Sequence, residues 1–328
     1  MPAKGKRWLL VKHFNGFPKE SDMRLEEFDL PELKDGEILM EAEYLSVDPY
    51  MRPYSATSSL NTVMIGQQVA KVIESRNEDF PVGTWTLPFT GWTTHSVSTG
   101  KDLMKMPPLP EGIPRSYTIG SLGMTGVTAY FGLLDITDPK PGETVLVSGA
   151  AGAVGNVVGQ IAKIKGCRVI GSAGSEEKLE YLKELGFDEV FNYKTTPNLD
   201  AKLKELAPDG IDVYFDNVGG EFATTAVQNM KIGGRISCCG SISAYNLKET
   251  QLLPALFGMM VRNHLKMQGF NVMQYITRWK EAVTQLGKWV GEGKLKVKEH
   301  RTDGIKNMFK AFTELFTGAN TGKAIIKA

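Results

Sequence analysis

The stretch Val145-Leu146-Val147-Ser148-Gly149-Ala150-Ala151-Gly152-Ala153-Val154-Gly155 constrains the fold more than any other part of the chain. An apolar run ending at Ser148 reads as a buried strand, and glycines then fall at 149, 152 and 155. Beyond them Val154, Val157, Val158, Ile161 and Ala162 recur at the spacing of a helix with one buried face. Strand, glycine turn and helix start in that order predict a dinucleotide site. Backbone without Cβ atoms bends sharply and approaches a pyrophosphate, and the head of the helix offers N–H groups and partial positive charge. The competing reading is a turn that only packs a helix close to a sheet.

A second strand is expected at Cys167–Gly171. In units that take NAD, an acidic residue about 20 positions on holds the adenosine ribose hydroxyl. Here the residue 19 positions past Gly155 is Gly174, flanked by Ala173 and Ser175, so no carboxylate stands there. Glu176 and Glu177 suit the first turn of a helix capped by Ser175. Lys178 follows within one turn. A missing acid beside a cation favours a ribose 2′-phosphate, hence NADP(H); Lys178 is otherwise an ordinary exposed helix lysine.

A chain of 328 residues, 42% hydrophobic and 23% charged, has the length of two domains and the makeup of a globular protein with a large core. A net charge of +1 argues against a nucleic-acid partner. Three cysteines, at 167, 238 and 239, make no secretory disulfide framework. The apolar run before Lys12 is too short for a signal peptide, and no stretch is long enough to span a membrane. The expected location is the cytoplasm.

Residues 1–123 carry short strand-like runs broken by Gly and Pro, at Trp8–Val11, Ile38–Val47, Val69–Ile73, Gly83–Leu87 and Thr93–Val97, as in a small barrel or sandwich. From Tyr130 to about Val272 strands alternate with helices, which predicts an α/β doubly wound parallel sheet. Its strands are expected at Val145–Ser148, Arg168–Gly171, Glu189–Asn192, Val213–Asp216, Arg235–Cys239 and Lys266–Phe270. A helix near Tyr275–Val290 is expected to turn Ile276, Trp279, Val283, Leu286 and Val290 inward, and another covers Ile305–Phe316. A last strand in residues 322–327 closes back onto the first domain, giving domains of 1–123 plus 300–328 and of 124–299.

A structural zinc site needs close-spaced cysteines, yet none occurs before Cys167, and His13, His95, His264 and His300 show no metal spacing. Cys238 and Cys239, adjacent in a strand, face opposite ways. No nucleophile elbow with a Ser–His or Ser–Lys pair is present. Hydride transfer without a metal is the simplest chemistry left.

The strand-rich N-terminal domain, the glycine turn and the returning C-terminal strand together resemble the medium-chain dehydrogenase/reductase superfamily over essentially the whole chain. Within it, residues 47–52 (VDPYMR), 66–70 (GQQVA), 123–133 (GMTGVTAYFGL), 215–220 (FDNVGG) and 239–246 (CGSISAYN) resemble the zinc-free prostaglandin reductase 1 group. Where zinc-dependent relatives carry Gly-His-Glu, this chain has Gly66-Gln67-Gln68.

The resemblance implies a Rossmann domain with a mostly β, GroES-like partner domain, a homodimer, and NADP(H) as cofactor. By that resemblance Gly152, Ala153, Val154 and Gly155 hold the pyrophosphate, and Lys178 and Tyr193 meet the 2′-phosphate end. Asn217 lies along the dinucleotide, and Cys239, Gly240, Ser241, Ile242, Ser243, Ala244 and Tyr245 cover the nicotinamide. Phe270, Asn271 and Val272 meet the carboxamide, and Asn320 reaches the cofactor from the other domain. The implied reaction is reduction of the C=C bond of α,β-unsaturated aldehydes and ketones, including 15-oxoprostaglandins, with leukotriene B4 oxidation as a reverse activity.

Negative charge developing on the carbonyl oxygen needs a donor. Tyr245 is assigned that role, and Tyr50 and Met124 line the substrate cleft; a Tyr245 that only closes over cofactor and a Tyr50 that only completes a turn are the alternatives. The family's proline-rich loop after this segment is replaced here by residues 247–262, with one proline. Its apolar residues form either a wall for a lipid tail or a helix at a subunit interface. A quinone reductase on the same fold and a non-enzymatic NADPH-binding protein are the competing functions.

Overall fold

The computed structural model describes residues 4–101 and 103–328. They divide into two compact units, one from residue 4 to 120 with 299–328, the other 121–298. The second is an α/β layer structure. Its six strands are all parallel and lie in the order Glu189–Asn192, Arg168–Ala173, Thr144–Val147, Ile211–Asp216, Met230–Cys238, Lys266–Gly269. The strand made first, Thr144–Val147, therefore sits in the middle. The chain winds outward from it on one side, then restarts beside it at Ile211–Asp216. That reversal of winding leaves a crevice beyond the carboxyl ends of these two strands, where α/β sheets take their ligands.

Both central strands are buried on both faces, with Val145, Leu146, Val147, Val213, Tyr214 and Phe215 at zero exposure. Parallel sheets covered on both sides select such continuous apolar runs. Glu189–Asn192 has the bounds the sequence predicts, and the other strand ends differ by at most two residues except at Met230–Cys238, which starts five residues early, where Gly233 and Gly234 interrupt the apolar pattern.

Three expectations change. The helix after the glycine turn, Gly155–Ile164, is buried on more than one face, since Asn156 and Gln160 are buried too. Gln160 sits there because its amide is satisfied by backbone: Nε2 donates to the Lys296 carbonyl at 3.0 Å and Oε1 accepts from the Lys296 N–H at 2.7 Å. The expected helix near Tyr275–Val290 begins only at Trp279, after a 3-10 stretch over Val272–Arg278. The change of pitch shifts its inward face to Ala282, Leu286 and Trp289, and Ile276 is 49% exposed. Ser175 does stand at the head of the helix Glu176–Glu184, but its side chain makes no capping bond; only its carbonyl accepts, from Lys178 and Leu179 N–H.

The helix Met124–Thr137 has no counterpart in the sequence reading, because Gly126, Gly132 and three threonines weaken its helical signature. The glycines are packing requirements. A Cβ at 126 would lie 1.9 Å from the Ser121 carbonyl oxygen, and one at 132 would lie 2.5 Å from the Phe270 ring.

In the other unit, Met23–Asp29, Lys4–Leu10 and Thr62–Val63 form a three-stranded antiparallel sheet. A second sheet runs Glu299–Asp303, Lys323–Lys327, Ile38–Ser46, Gln68–Ser75, Trp85–Thr86, and His95–Ser98 also pairs with Ile38–Ser46. The C-terminal strand thus returns to the N-terminal sheet, antiparallel to Ile38–Ser46. Trp8, Leu45, Met51, Trp92, Met308 and Phe312 are in the core between them.

Candidate active site

Parallel strands place all their carboxyl ends on one edge of the sheet, so residues far apart in sequence gather there. In the second unit, every residue singled out except Met124 follows one of these ends. Residues 149–155 follow Thr144–Val147. Lys178 lies beyond Arg168–Ala173, and Tyr193 follows Glu189–Asn192. Asn217 follows Ile211–Asp216, residues 239–245 follow Met230–Cys238, and 270–272 follow Lys266–Gly269.

The glycine turn is built around close backbone approach. Gly149 has φ +59°, and a Cβ on Gly155 would lie 2.4 Å from the Gly149 carbonyl oxygen. Any side chain at 155 would drive the first turn of the helix off the strand. Gly152 N–H donates to Gly149 O at 3.0 Å, closing the turn. Ala153, Val154 and Gly155 come at the head of the helix, where the helical ladder supplies no acceptors for the first N–H groups. This cradle, which a Cβ at 155 would fill, fits the pyrophosphate of a dinucleotide.

A buried carboxylate organises the crevice. Asp216 is 5% exposed, and its Oδ1 accepts from Tyr214 OH at 2.7 Å, Ser148 OH at 3.2 Å, and the Val218 and Gly219 N–H groups at 2.9 Å. Asn217 N–H donates to Ser148 Oγ at 3.0 Å, and its amide Nδ2 to Ser148 O at 2.8 Å, tying the two central strand ends together. Burial, reinforced by Asp216, holds the Tyr214 phenol far above its ordinary range, so it stays a donor.

The Asp216 and Val218 carbonyls carry the next loop. They accept from Cys239, Gly240 and Ser243 N–H, and Ser243 Oγ donates to Val218 O at 2.6 Å. The strand ends at Cys238, so Cys239 belongs to this loop and not to the strand. Burial first, and Asp216 second, push Cys238 up to about 11 and Cys239 up to about 12, which keeps both as neutral thiols at pH 7. Tyr245 folds back over the loop, its hydroxyl oxygen accepting from Ser241 N–H at 3.4 Å. A phenol carries one O–H donor as well as acceptor lone pairs.

Toward the outer strands, Lys178 is half-buried, and burial, then Lys194, then Glu177 act on its charge; the first two lower it and Glu177 raises it. Tyr193 is 47% exposed and Gly174 is packed against it. Beyond the edge strand, Phe270 is half-buried against Tyr275, Val272 is buried, and Asn271 accepts from Met273 N–H at 2.9 Å. Met124 begins its helix, half-buried, with Thr128 Oγ1 on its carbonyl.

In the first unit, Tyr50 precedes the short helix Met51–Tyr54 and packs edge-on to Tyr54 with ring centroids 5.6 Å apart. Burial, then Asp48 and Tyr54, raise its phenol well above the ordinary range. The segment is anchored by an ion pair that the sequence reading missed. Lys323, fully buried, donates to Asp48 Oδ1 at 2.8 Å and to the Val47 and Ala324 carbonyls, while Ser46 Oγ donates to the other Asp48 oxygen. Burial pulls the Lys323 ammonium below its ordinary range against the pull of Asp48. Nothing in a lysine's sequence position announces burial; its place in an apolar strand between Gly322 and Ala324-Ile325-Ile326 was the available signal.

Asn320 donates to Gly322 O at 3.0 Å within its own turn. Gln68, at the position discussed for metal, donates to the Thr93 carbonyl at 2.9 Å and to the Gly91 carbonyl. Among the described residues, no three His, Cys, Asp or Glu side chains converge as a metal site. Nor is any helix among them long and apolar enough to cross a membrane.

Residues 6–106 match the family described as the N-terminal domain of oxidoreductase, and residues 153–288 match the family described as zinc-binding dehydrogenase. The chain is 52% identical over 330 residues to prostaglandin reductase 1 of Bos taurus, covering 98% of this chain and 99% of that one. It is 40% identical to a 2-alkenal reductase (NADP(+)-dependent) of Nicotiana tabacum, over 98% of this chain and 96% of the other. The crystal structure of CurA in complex with NADPH from Vibrio vulnificus superimposes with a TM-score of 0.92 at 38% identity, over 98% of this chain and 99% of that one.

Proposed function

The chain belongs to the prostaglandin reductase 1 family within the medium-chain dehydrogenase/reductase superfamily, and from that membership we propose how its own residues work. It is an NADP(H)-dependent oxidoreductase that reduces the C=C bond of enones and alkenals. One observation carries this reading. The whole chain aligns at about half identity to prostaglandin reductase 1, and it also presents the glycine cradle and the Tyr245 loop on one sheet edge.

When bound, NADPH supplies a hydride to the substrate's β-carbon. The protein's part is to bind, orient and manage charge. Gly152, Ala153, Val154 and Gly155 take the pyrophosphate on backbone N–H groups; Lys178 and Tyr193 take the 2′-phosphate end. Asn217, residues 239–245, Phe270, Asn271, Val272 and Asn320 position the remainder. As hydride arrives, negative charge gathers on the carbonyl oxygen, and the Tyr245 O–H donates to it. A preorganised donor of this kind typically contributes ~10²–10³ in kcat. A proton from water then completes the α-carbon, giving the saturated carbonyl. By the family resemblance Tyr50 and Met124 are each assigned to the substrate, and Tyr50 is kept neutral by its surroundings.

The substrate range includes 15-oxoprostaglandins. The chain works in the cytoplasm, where its three free thiols are at home. It pairs as a homodimer. The edge strand Lys266–Gly269 and its neighbours Ile232, Phe257 and Val261, 74%, 81% and 77% exposed, form an apolar edge that a second copy would cover.

The test is NADPH oxidation with an alkenal, a 15-oxoprostaglandin and a quinone, by wild type and by Tyr245→Phe. Turnover of the first two, with kcat falling on the order of a hundredfold in the variant while NADPH affinity is kept, is expected. Turnover of quinone alone refutes the reading, and full activity in the variant refutes the role of Tyr245.

A further inference from the structure

The ends of the second and third strands of the parallel sheet carry more positive charge than the residues assigned so far account for. Gly174 ends the run that follows Arg168–Ala173, where a side chain would otherwise project over the cofactor's ribose. A Cβ built on it would lie 2.9 Å from Lys194 Cε, 3.2 Å from Tyr193 Cε1 and 3.3 Å from Lys194 Nζ. The ammonium of Lys194 is therefore laid across the glycine. The main chain beneath it is fixed: Lys194 N–H donates to the Asn192 side-chain Oδ1 at 3.1 Å and Tyr193 N–H to Ala173 O at 3.2 Å.

Lys178 approaches from the helix on the other side, near enough for Lys194 to disfavour its charge. Two ammonium groups brought together repel unless an anion lies between them. Glu176 accepts from the Asn192 amide at 3.1 Å, and Glu177 supports the Lys178 charge less strongly than burial and Lys194 oppose it. Ser175, at the head of the nine-residue helix Glu176–Glu184, makes no capping bond with its side chain.

We propose that Lys194 is a second cation for the adenosine 2′-phosphate, acting with Lys178 across Gly174, and that the bare glycine is what admits its ammonium. Lys194 is then a specificity-determining residue for NADP(H) over NAD(H). The proposal rests on the NADP(H) reading above and adds a residue to it. It also assigns Gly174 a positive role beyond the missing acid: a carboxylate there would pair with Lys194 and meet the phosphate with like charge.

The experiment measures dissociation constants of NADPH, NADH, adenosine 2′,5′-bisphosphate and 5′-AMP on the full chain by fluorescence quenching or calorimetry. Wild type is compared with Lys194→Met, Lys194→Arg, Lys178→Met and Gly174→Asp, with melting curves confirming that each folds. Lys194→Met is expected to weaken NADPH and the 2′,5′-bisphosphate on the order of tenfold or more and to leave NADH and 5′-AMP within about twofold. Lys194→Arg should restore most of the loss, and Gly174→Asp should reduce NADPH preference further.

Wild type that prefers NADPH, with Lys194→Met keeping that preference, overturns the role of Lys194 alone. Equal loss for NADPH and NADH also overturns it. Wild type with no preference between the two cofactors removes the NADP(H) reading itself.

Discussion

Asp216 and Asp48 are both buried carboxylates at the start of a site segment, 5% and 3% exposed, and they are stabilised in different ways. Asp216 is surrounded by neutral donors, the Tyr214 and Ser148 hydroxyls and two N–H groups from residues next to it. Asp48 is paired with a full charge, Lys323, from 275 residues away. Neutral donors shape a loop locally, and here they fix the 217–219 turn and, through its carbonyls, the Tyr245 loop. An ion pair joins distant strands, and here it anchors the turn that carries Tyr50 to the C-terminal strand. Its cost is that either ion left alone is a bare buried charge.

The two centres should fail differently. Lys323→Met leaves Asp48 unpaired and should cost about 3–5 kcal/mol in urea unfolding. Adding Asp48→Leu should recover most of that loss, since a buried pair replaced by apolar groups is often neutral. If the single substitution is harmless, the pair is not what holds this segment. Asp216→Asn keeps an oxygen for the four donors that meet Oδ1 but removes the charge that strengthens those bonds. A loss of about 1–3 kcal/mol is expected, with weaker NADPH binding by titration because the crevice loosens.

Alkaline pH separates the centres further. Tyr214, Cys238 and Cys239 all have raised values in the folded chain, so the folded state keeps protons that the unfolded chain releases. Their contribution is fully present below the unfolded values, near 8.5 for Cys and 10 for Tyr, and is lost as pH rises through the folded ones. Melting temperature should fall from about pH 9 upward, and Tyr214→Phe should shallow that decline; an unchanged slope contradicts it. The smallest effect is expected at Ser175→Ala. With no capping bond to lose, stability should move only a few tenths of a kcal/mol, not the ~1 typical of an N-cap.

Much of this was legible in the sequence because the glycine turn and the strand–helix alternation are local, periodic signals. Gly149, Gly152 and Gly155 mark where backbone meets backbone, and the apolar runs at 145–147 and 213–215 mark strands covered on both faces. What stayed hidden depends on tertiary partners. Gln160 reads as polar, yet it is buried because Lys296 backbone meets its amide. Ile276 reads as inward, yet a 3-10 stretch turns it out. Lys194 carries no sequence signal of its own, and only the fold lays it across Gly174. Lys323 and Asp48 lie at opposite ends of the chain, and no spacing rule connects them.

The central claim is hydride delivery to carbon–carbon double bonds at this sheet edge. The most direct measurement is turnover of an enone with NADPH deuterated at the transferable position, followed by mass spectrometry and NMR of the product. A saturated ketone bearing deuterium at the β-carbon is the expected result. An allylic alcohol bearing deuterium at the former carbonyl carbon would contradict the account.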